Sequence, residues 1–133
     1  MWTFRRYVTN GGRDEVGDWF EGLSAKDQAR FLTGRLELLR STPKGQGIWC
    51  EPYYRDLPTY GLGEIRTPKY GGVSYRLLGF FGPSGNDFTI VSVCEKKAWK
   101  LPKQAFETAN KRKKLILEQP ELASEWNFEE EES

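Results

Sequence analysis

Gly63 to Phe81 reads G-E-I-R-T-P-K-Y-G-G-V-S-Y-R-L-L-G-F-F, and Phe88 to Arg112 reads F-T-I-V-S-V-C-E-K-K-A-W-K-L-P-K-Q-A-F-E-T-A-N-K-R. Gly63 to Thr67 predicts a strand that Pro68 ends. Gly71-Gly72 turns the chain, and Val73 to Phe81 predicts a second strand. Gly82-Pro83-Ser84-Gly85-Asn86 reads as a hairpin loop leading into a third strand, Phe88 to Cys94. Pro102 suits the first position of a last helix, since it has no N–H to leave unpaired there. Ala105, Phe106, Ala109 and Ile116 form that helix's apolar side, and Pro120 ends it.

Working outward, Trp2 to Val8 alternates, with Trp2, Phe4 and Val8 on one side and Arg5 and Tyr7 on the other, which predicts a half-buried strand. Asn10-Gly11-Gly12 closes it. Val16, Trp19, Phe20 and Leu23 recur at helical spacing. Ser24 and Asp27 suit the N-terminus of a second helix. Its stripe is Ala25, Ala29, Leu32, Leu36 and Leu39, flanked by Phe31 and Leu38, and it stops before Pro43. Residues 43 to 62 read as a long connection ordered in part by Trp49, Tyr53 and Tyr54. The predicted order is β-α-α-β-β-β-α, an α+β domain with an antiparallel sheet, an N-terminal helical hairpin and a C-terminal helix. Residues 1–119 are expected to form that domain, and residues 120–133 an acidic, flexible tail.

The 133 residues fit one domain. No apolar run is long enough to span a bilayer and the N-terminus lacks a signal-peptide pattern, so a cytoplasmic protein is expected. Two cysteines, Cys50 and Cys94, with no histidine, argue against a structural zinc site and against any histidine general base. The net charge of +1 conceals a polarity. Residues 44–114 carry 13 basic and 6 acidic side chains, whereas residues 115–133 carry 7 acidic and none basic. A basic body of this kind can bind a polyanion, and the tail can compete for the same surface.

Strand alternation puts Glu64 and Arg66 on one face, and Arg76 alternates with Tyr75. If the hairpin pairs in simple register, Arg66 and Arg76 share a face. Lys96 and Lys97 leave the end of the next strand, with Lys69, Lys100 and Lys103 in or near turns around it. Guanidinium groups grip phosphate bidentately and stay charged. They would stabilise the charge that builds on a phosphate attacked by a neighbouring ribose 2′-hydroxyl. Such cleavage needs no metal or other cofactor, because the nucleophile belongs to the substrate. With no histidine, the proton acceptor falls to Glu64, Glu95 or a lysine depressed by its cationic neighbours. Tyr70, Tyr75 and Trp99 are candidates to stack on splayed bases. The competing reading is plain: surface cations for solvation, core aromatics, and Glu64 as no more than the ion-pair partner of Arg76.

In order and spacing, Glu64-Ile65-Arg66, Tyr75-Arg76, Lys96-Lys97, Pro102 and Ala109…Arg112 resemble the RelE/HigB-type toxins of bacterial toxin–antitoxin systems, in particular the phage-associated HigB-like branch. The resemblance implies a RelE-like fold and a toxin that enters the ribosomal A site and cleaves mRNA there. It implies a cognate antitoxin, often a helix-turn-helix protein, and no membrane partner. Carried over by motif, Arg66 binds phosphate or accepts a proton, Arg76 stabilises the transition state, and Lys96 or Lys97 neutralises or protonates the leaving oxygen. The chain departs from the pattern in two places. Lys97 stands where RelE proper has arginine, and Trp99, Lys100 and Lys103 occupy the region where many relatives place a tyrosine or histidine. ParE-type relatives with this fold poison gyrase instead of cutting RNA, so a non-nucleolytic binder, or an inactive prophage-derived antitoxin partner, is the alternative. Glu121, Glu125 and Glu129 to Glu132, anchored by Trp126 and Phe128, are candidates to fold over the basic patch and mask it; a solvated tail is the simpler expectation.

Overall fold

The computed structural model describes residues 1–96 and 103–127. Its centre is a six-stranded sheet in the order β2-β3-β4-β5-β1-β6. The strands are β1 (Thr3–Tyr7), β2 (Tyr54–Leu57), β3 (Leu62–Arg66), β4 (Tyr75–Phe81), β5 (Asp87–Glu95) and β6 (Ala123–Glu125). The helices are α1 (Glu15–Glu21), α2 (Ala25–Phe31), α3 (Glu37–Arg40) and α4 (Lys103–Glu118). This is the α+β arrangement expected from the sequence and is compatible with a RelE-like fold. Neighbouring strands run antiparallel except β1 and β5, which are parallel. None of the described helices is long and apolar enough to cross a membrane.

Alternation along the strands divides the core in two. Ile65, Leu77, Val93, Phe4 and Ile90 point to the face covered by α1 to α3. Leu62, Leu78 and Phe80 point to the other, where Ala109, Ile116 and Phe106 of α4 cover them. The second helix begins where Ser24 and Asp27 suggest, and Asp14 caps the first. Gly17 N donates to Asp14 Oδ1 at 2.9 Å, and Asp27 N donates to Ser24 Oγ at 3.1 Å. These caps each satisfy a backbone N–H that has no partner within the helix, worth about 1 kcal/mol.

The helical stripe differs from the expected one. Between α2 and α3 the chain makes a π turn, Leu32–Leu36. The buried residues are Phe31, Leu36 and Leu39, while Ala25 and Ala29 are exposed. A π turn inserts one residue, so Phe31 and Leu36, five apart, face the same way. A stripe drawn at constant α spacing cannot follow that shift.

Two strands go beyond the predicted order. Within the connection 43–62, Tyr54–Leu57 forms β2 on the edge of the sheet. Trp49 orders the rest, buried among Phe4, Tyr54, Phe81 and Phe88, with its indole N–H shared between Leu39 O (2.9 Å) and Thr42 O (2.8 Å). At the other end, residues expected in the flexible tail form a 3₁₀ turn, Pro120–Leu122, and then β6 against β1. Leu122 and Ala123 are buried in the α4-side core, and Trp126 packs edge-on against Phe20. Apolar side chains interleaved with the glutamates hold the segment down. A chain ending at Gln119 should therefore be less stable than one ending at Asn127 by about 3 kcal/mol or more, the scale of losing buried apolar contacts plus ladder hydrogen bonds. Urea denaturation of the two chains would show it; equal midpoints would mean that β6 adds nothing.

Candidate functional site

Arg66 and Arg76 are direct cross-strand partners on β3 and β4. They lie on the α4 face of the sheet, because their strand neighbours Ile65 and Leu77 point into the opposite core. Between them lies Glu64, 6% exposed. One of its oxygens, Oε1, accepts from Arg66 Nε at 2.9 Å and stands 3.7 Å from Arg76 Nε. Arg76 Nη1 also donates to the Tyr75 carbonyl at 3.0 Å. A second, exposed carboxylate, Glu51, reaches Arg66 Nη1 at 3.7 Å and Arg55 Nε at 3.9 Å. At such distances and exposure, those pairs contribute little.

A buried carboxylate is tolerated only when paired, and here two guanidiniums share it. The trio thus keeps one net positive charge, with the Arg66 side chain 24% and the Arg76 side chain 12% exposed. Burial pushes the Arg76 guanidinium below its ordinary value; the Glu64 charge opposes this and the Arg66 charge adds to it. An arginine starts so far above neutrality that it stays charged at neutral pH. Glu64 holds Arg66 by a hydrogen bond and stands at ion-pair distance from Arg76.

The other sequence candidates fall in different places. Lys96 follows β5, and its backbone N–H donates to Ser74 O at 2.8 Å, which ties it beside the start of β4, next to Arg76. Lys103 is exposed at the first residue of α4, and Lys69 is exposed in the turn after β3. Lys97, Trp99, Lys100 and Pro102 lie outside the described residues. Tyr70 does not fit the stacking role expected of it. It is 2% exposed on the helical side of the sheet, edge-on to Phe31, with Arg30 across its ring. Its bulky ring fills the core beneath the Gly71-Gly72 turn, where an RNA base cannot reach it. Tyr75 likewise packs edge-on against Trp19. Trp126, expected to anchor a masking tail, packs with Phe20 and Phe31 in the core on the opposite side of the sheet from the arginines. Phe128 and Glu129 to Glu132 lie outside the described residues.

The sequence marks Arg112 only as part of a motif. In the fold it ties three elements together. Its Nη1 donates to Glu15 Oε2 at 2.6 Å and to Val91 O at 2.8 Å, and its guanidinium sits 5.2 Å from the centre of the Tyr7 ring. Val91 is the extra residue of a β-bulge: Leu78 pairs with Ser92 and Gly79 with Ile90. The bulge leaves a carbonyl for Arg112 to take. An arginine one turn from the end of an apolar helical stripe was the only signal for this.

Cys94 is the cross-strand partner of Arg76. Burial pushes its thiol up, the Glu15 charge adds to this, Arg112 opposes it and Glu64 adds a little more. Only the thiolate reacts with alkylating agents, so at pH 7.5 Cys94 should be modified by iodoacetamide at least about tenfold more slowly than a free thiol. Its rate should keep rising with pH after that of a free thiol has levelled. Mass spectrometry of quenched time points would read both; a rate equal to free cysteine at pH 7.5 would contradict the burial argument.

Residues 18–114 match the model of a family described as phage derived protein Gp49-like (DUF891). The matched span runs from within α1 to within α4 and contains Glu64, Arg66, Arg76, Cys94 and Arg112. No curated protein matches the chain significantly.

Proposed function

We propose that this chain, which belongs to the phage-derived Gp49-like family, is the toxin of a toxin–antitoxin pair and cleaves mRNA on the ribosome. The observation that carries the reading is the Arg66–Glu64–Arg76 cluster: two guanidiniums in cross-strand register, fixed by one buried carboxylate. In the proposed reaction the ribose 2′-oxygen attacks the adjacent phosphorus and the bond from phosphorus to the 5′-oxygen breaks. The products are a 2′,3′-cyclic phosphate and a 5′-hydroxyl. Arg66 holds the phosphate and Arg76 meets the charge that develops on its oxygens, an effect that depends on donors already fixed before the reaction. Glu64, already engaged by both arginines, orients them. Lys96 or Lys97 supplies the proton to the departing 5′-oxygen, and a neighbouring lysine, when neutral, takes the proton of the 2′-hydroxyl. Lys69 and Lys103, with Lys100, would add attraction for the message without selecting its sequence. The partner that restrains such an activity is a cognate antitoxin.

The test is inducible expression in a bacterial host, with primer extension on a translated message, for the unchanged chain and for Arg66→Ala/Arg76→Ala. Growth arrest with cuts inside translated codons, lost in the variant, is the expected result. Arrest without cuts would replace the nuclease with a binder of the gyrase-poisoning kind. The engagement of Glu64 by both arginines favours that second reading, since it removes one of the few carboxylates available as a base.

A further inference from the structure

Arg66 has neighbours on both sides of its backbone. Its N–H donates to Tyr53 O at 2.9 Å, and its carbonyl accepts from Arg35 Nε at 2.8 Å. Arg35 and Tyr53 also meet each other: the guanidinium centre is 5.1 Å from the centre of the Tyr53 ring. Arg35 belongs to the π turn between α2 and α3, Tyr53 to the residues just before β2, and Arg66 to the end of β3. Three distant segments therefore place a stacked arginine–tyrosine pair against the backbone of Arg66, an arginine of the candidate site.

Two features set this pair apart. Tyr53 is 42% exposed, and among the described residues it is the only exposed aromatic side chain. Its counterparts Tyr70, Tyr75, Trp49 and Phe31 are wholly or partly taken into the core. Arg35, for its part, donates only to carbonyls, those of Arg66 and Gly34, and has no carboxylate partner among the described residues. Its charge is therefore oriented without being neutralised. The cost of leaving an aromatic ring in water beside an unneutralised guanidinium is offset when a ligand supplies both a flat π-face and negative charge.

We propose that Arg35 and Tyr53 form a stacking platform for an unpaired RNA base, the one adjoining the phosphate that Arg66 holds. The proposal rests on the RNA-directed reading above. It gives that site the aromatic contact that Tyr70, buried, cannot make. Stacking accepts any base, since every base has a π-face, so the platform adds affinity and position with little sequence preference. Glu51, whose exposed carboxylate is 3.7 Å from Arg66 Nη1, lies at the same edge and is displaced from Arg66 as the phosphate arrives.

The test uses the full chain and a single-stranded RNA of ten nucleotides at low salt. Every sugar is 2′-O-methylated to prevent cleavage, and one central base is 2-aminopurine. Stacking quenches 2-aminopurine emission, a readout that binding by charge alone does not give. Wild type should bind and quench. Tyr53→Leu, which keeps an apolar side chain on an exposed position, should lose the quench and bind about tenfold more weakly with an unchanged melting temperature. Tyr53→Trp should retain both binding and quench. A Tyr53→Leu chain that still quenches fully would overturn the platform while leaving the RNA-directed reading intact. A wild-type chain that neither binds this RNA nor cuts a translated message would overturn both.

Discussion

Arg66→Ala/Arg76→Ala should lose message cleavage by about 10⁴-fold and also lose about 3–5 kcal/mol of stability, whereas Glu64→Leu/Arg66→Leu/Arg76→Leu should lose the cleavage alone. The first figure follows from deleting two fixed donors, each worth roughly 10²–10³ in rate at sites of this kind. The second follows from Glu64. It is 6% exposed, and both of its close cationic partners are gone in the double variant. Removing the partner of a buried charge costs far more than removing the whole cluster, because the stranded charge has lost its water as well. Replacing all three residues by leucine leaves no stranded charge, and the new side chains adjoin Leu62 and Leu78 in the α4-side core. Its urea midpoint should equal or exceed that of the unchanged chain. The comparison separates catalysis from folding: a stable triple-leucine chain that still cut messages would remove the arginines from the mechanism.

Gly79→Ala is expected to destabilise the fold strongly for a single added methyl group. A Cβ built on Gly79 would lie 2.4 Å from Thr89 O and 2.7 Å from Phe88 Cε1. The first is a backbone oxygen of the adjoining strand and cannot swing aside. Gly79 also sits at the bulge, where the register between β4 and β5 shifts, in the middle of the sheet. Forcing the two central strands apart should cost about 3 kcal/mol or more, a large share of the roughly 5–15 kcal/mol that holds a domain of this size together. The melting temperature should fall by about 10 °C or more. Gly34→Ala is the matched control. It lies in the helical stretch with nothing within 4 Å of the new Cβ, so it should stabilise the chain by about 0.5–1 kcal/mol through helix propensity. Thermal melts of both variants decide the matter; a Gly79→Ala chain that melts with the unchanged one would mean the sheet can open at the bulge at little cost.

The parts of the site legible in the sequence were those set by local geometry. A strand repeats every two residues, so Glu64 and Arg66 had to share a face and Ile65 had to oppose them. The Gly71-Gly72 turn then brought Arg76 opposite Arg66, as simple register predicts. The helix start at Ser24 was equally local, since a cap needs only its own next three residues. The absence of histidine limited the possible chemistry before any fold was known.

Tertiary structure alone decided the rest. Tyr70 and Tyr53 are both tyrosines near the ends of strands, flanked by turn residues and cations. One is 2% exposed and the other 42% exposed. That difference comes from Phe31 and Arg30, which sit some forty residues earlier in the chain and cover Tyr70. Nor did the strand character of Ala123–Glu125 show in a glutamate-rich end, because it depends on the free edge that β1 offers. Arg35 reaches the Arg66 carbonyl from the π turn, an insertion without a distinct signature in Leu32–Leu36. Alternation and capping are properties of neighbours in the chain, so the sequence alone determined which face carries Arg66 and Arg76. Burial, edge pairing and the company those arginines keep depend on segments distant in sequence, and only the packed fold decided them.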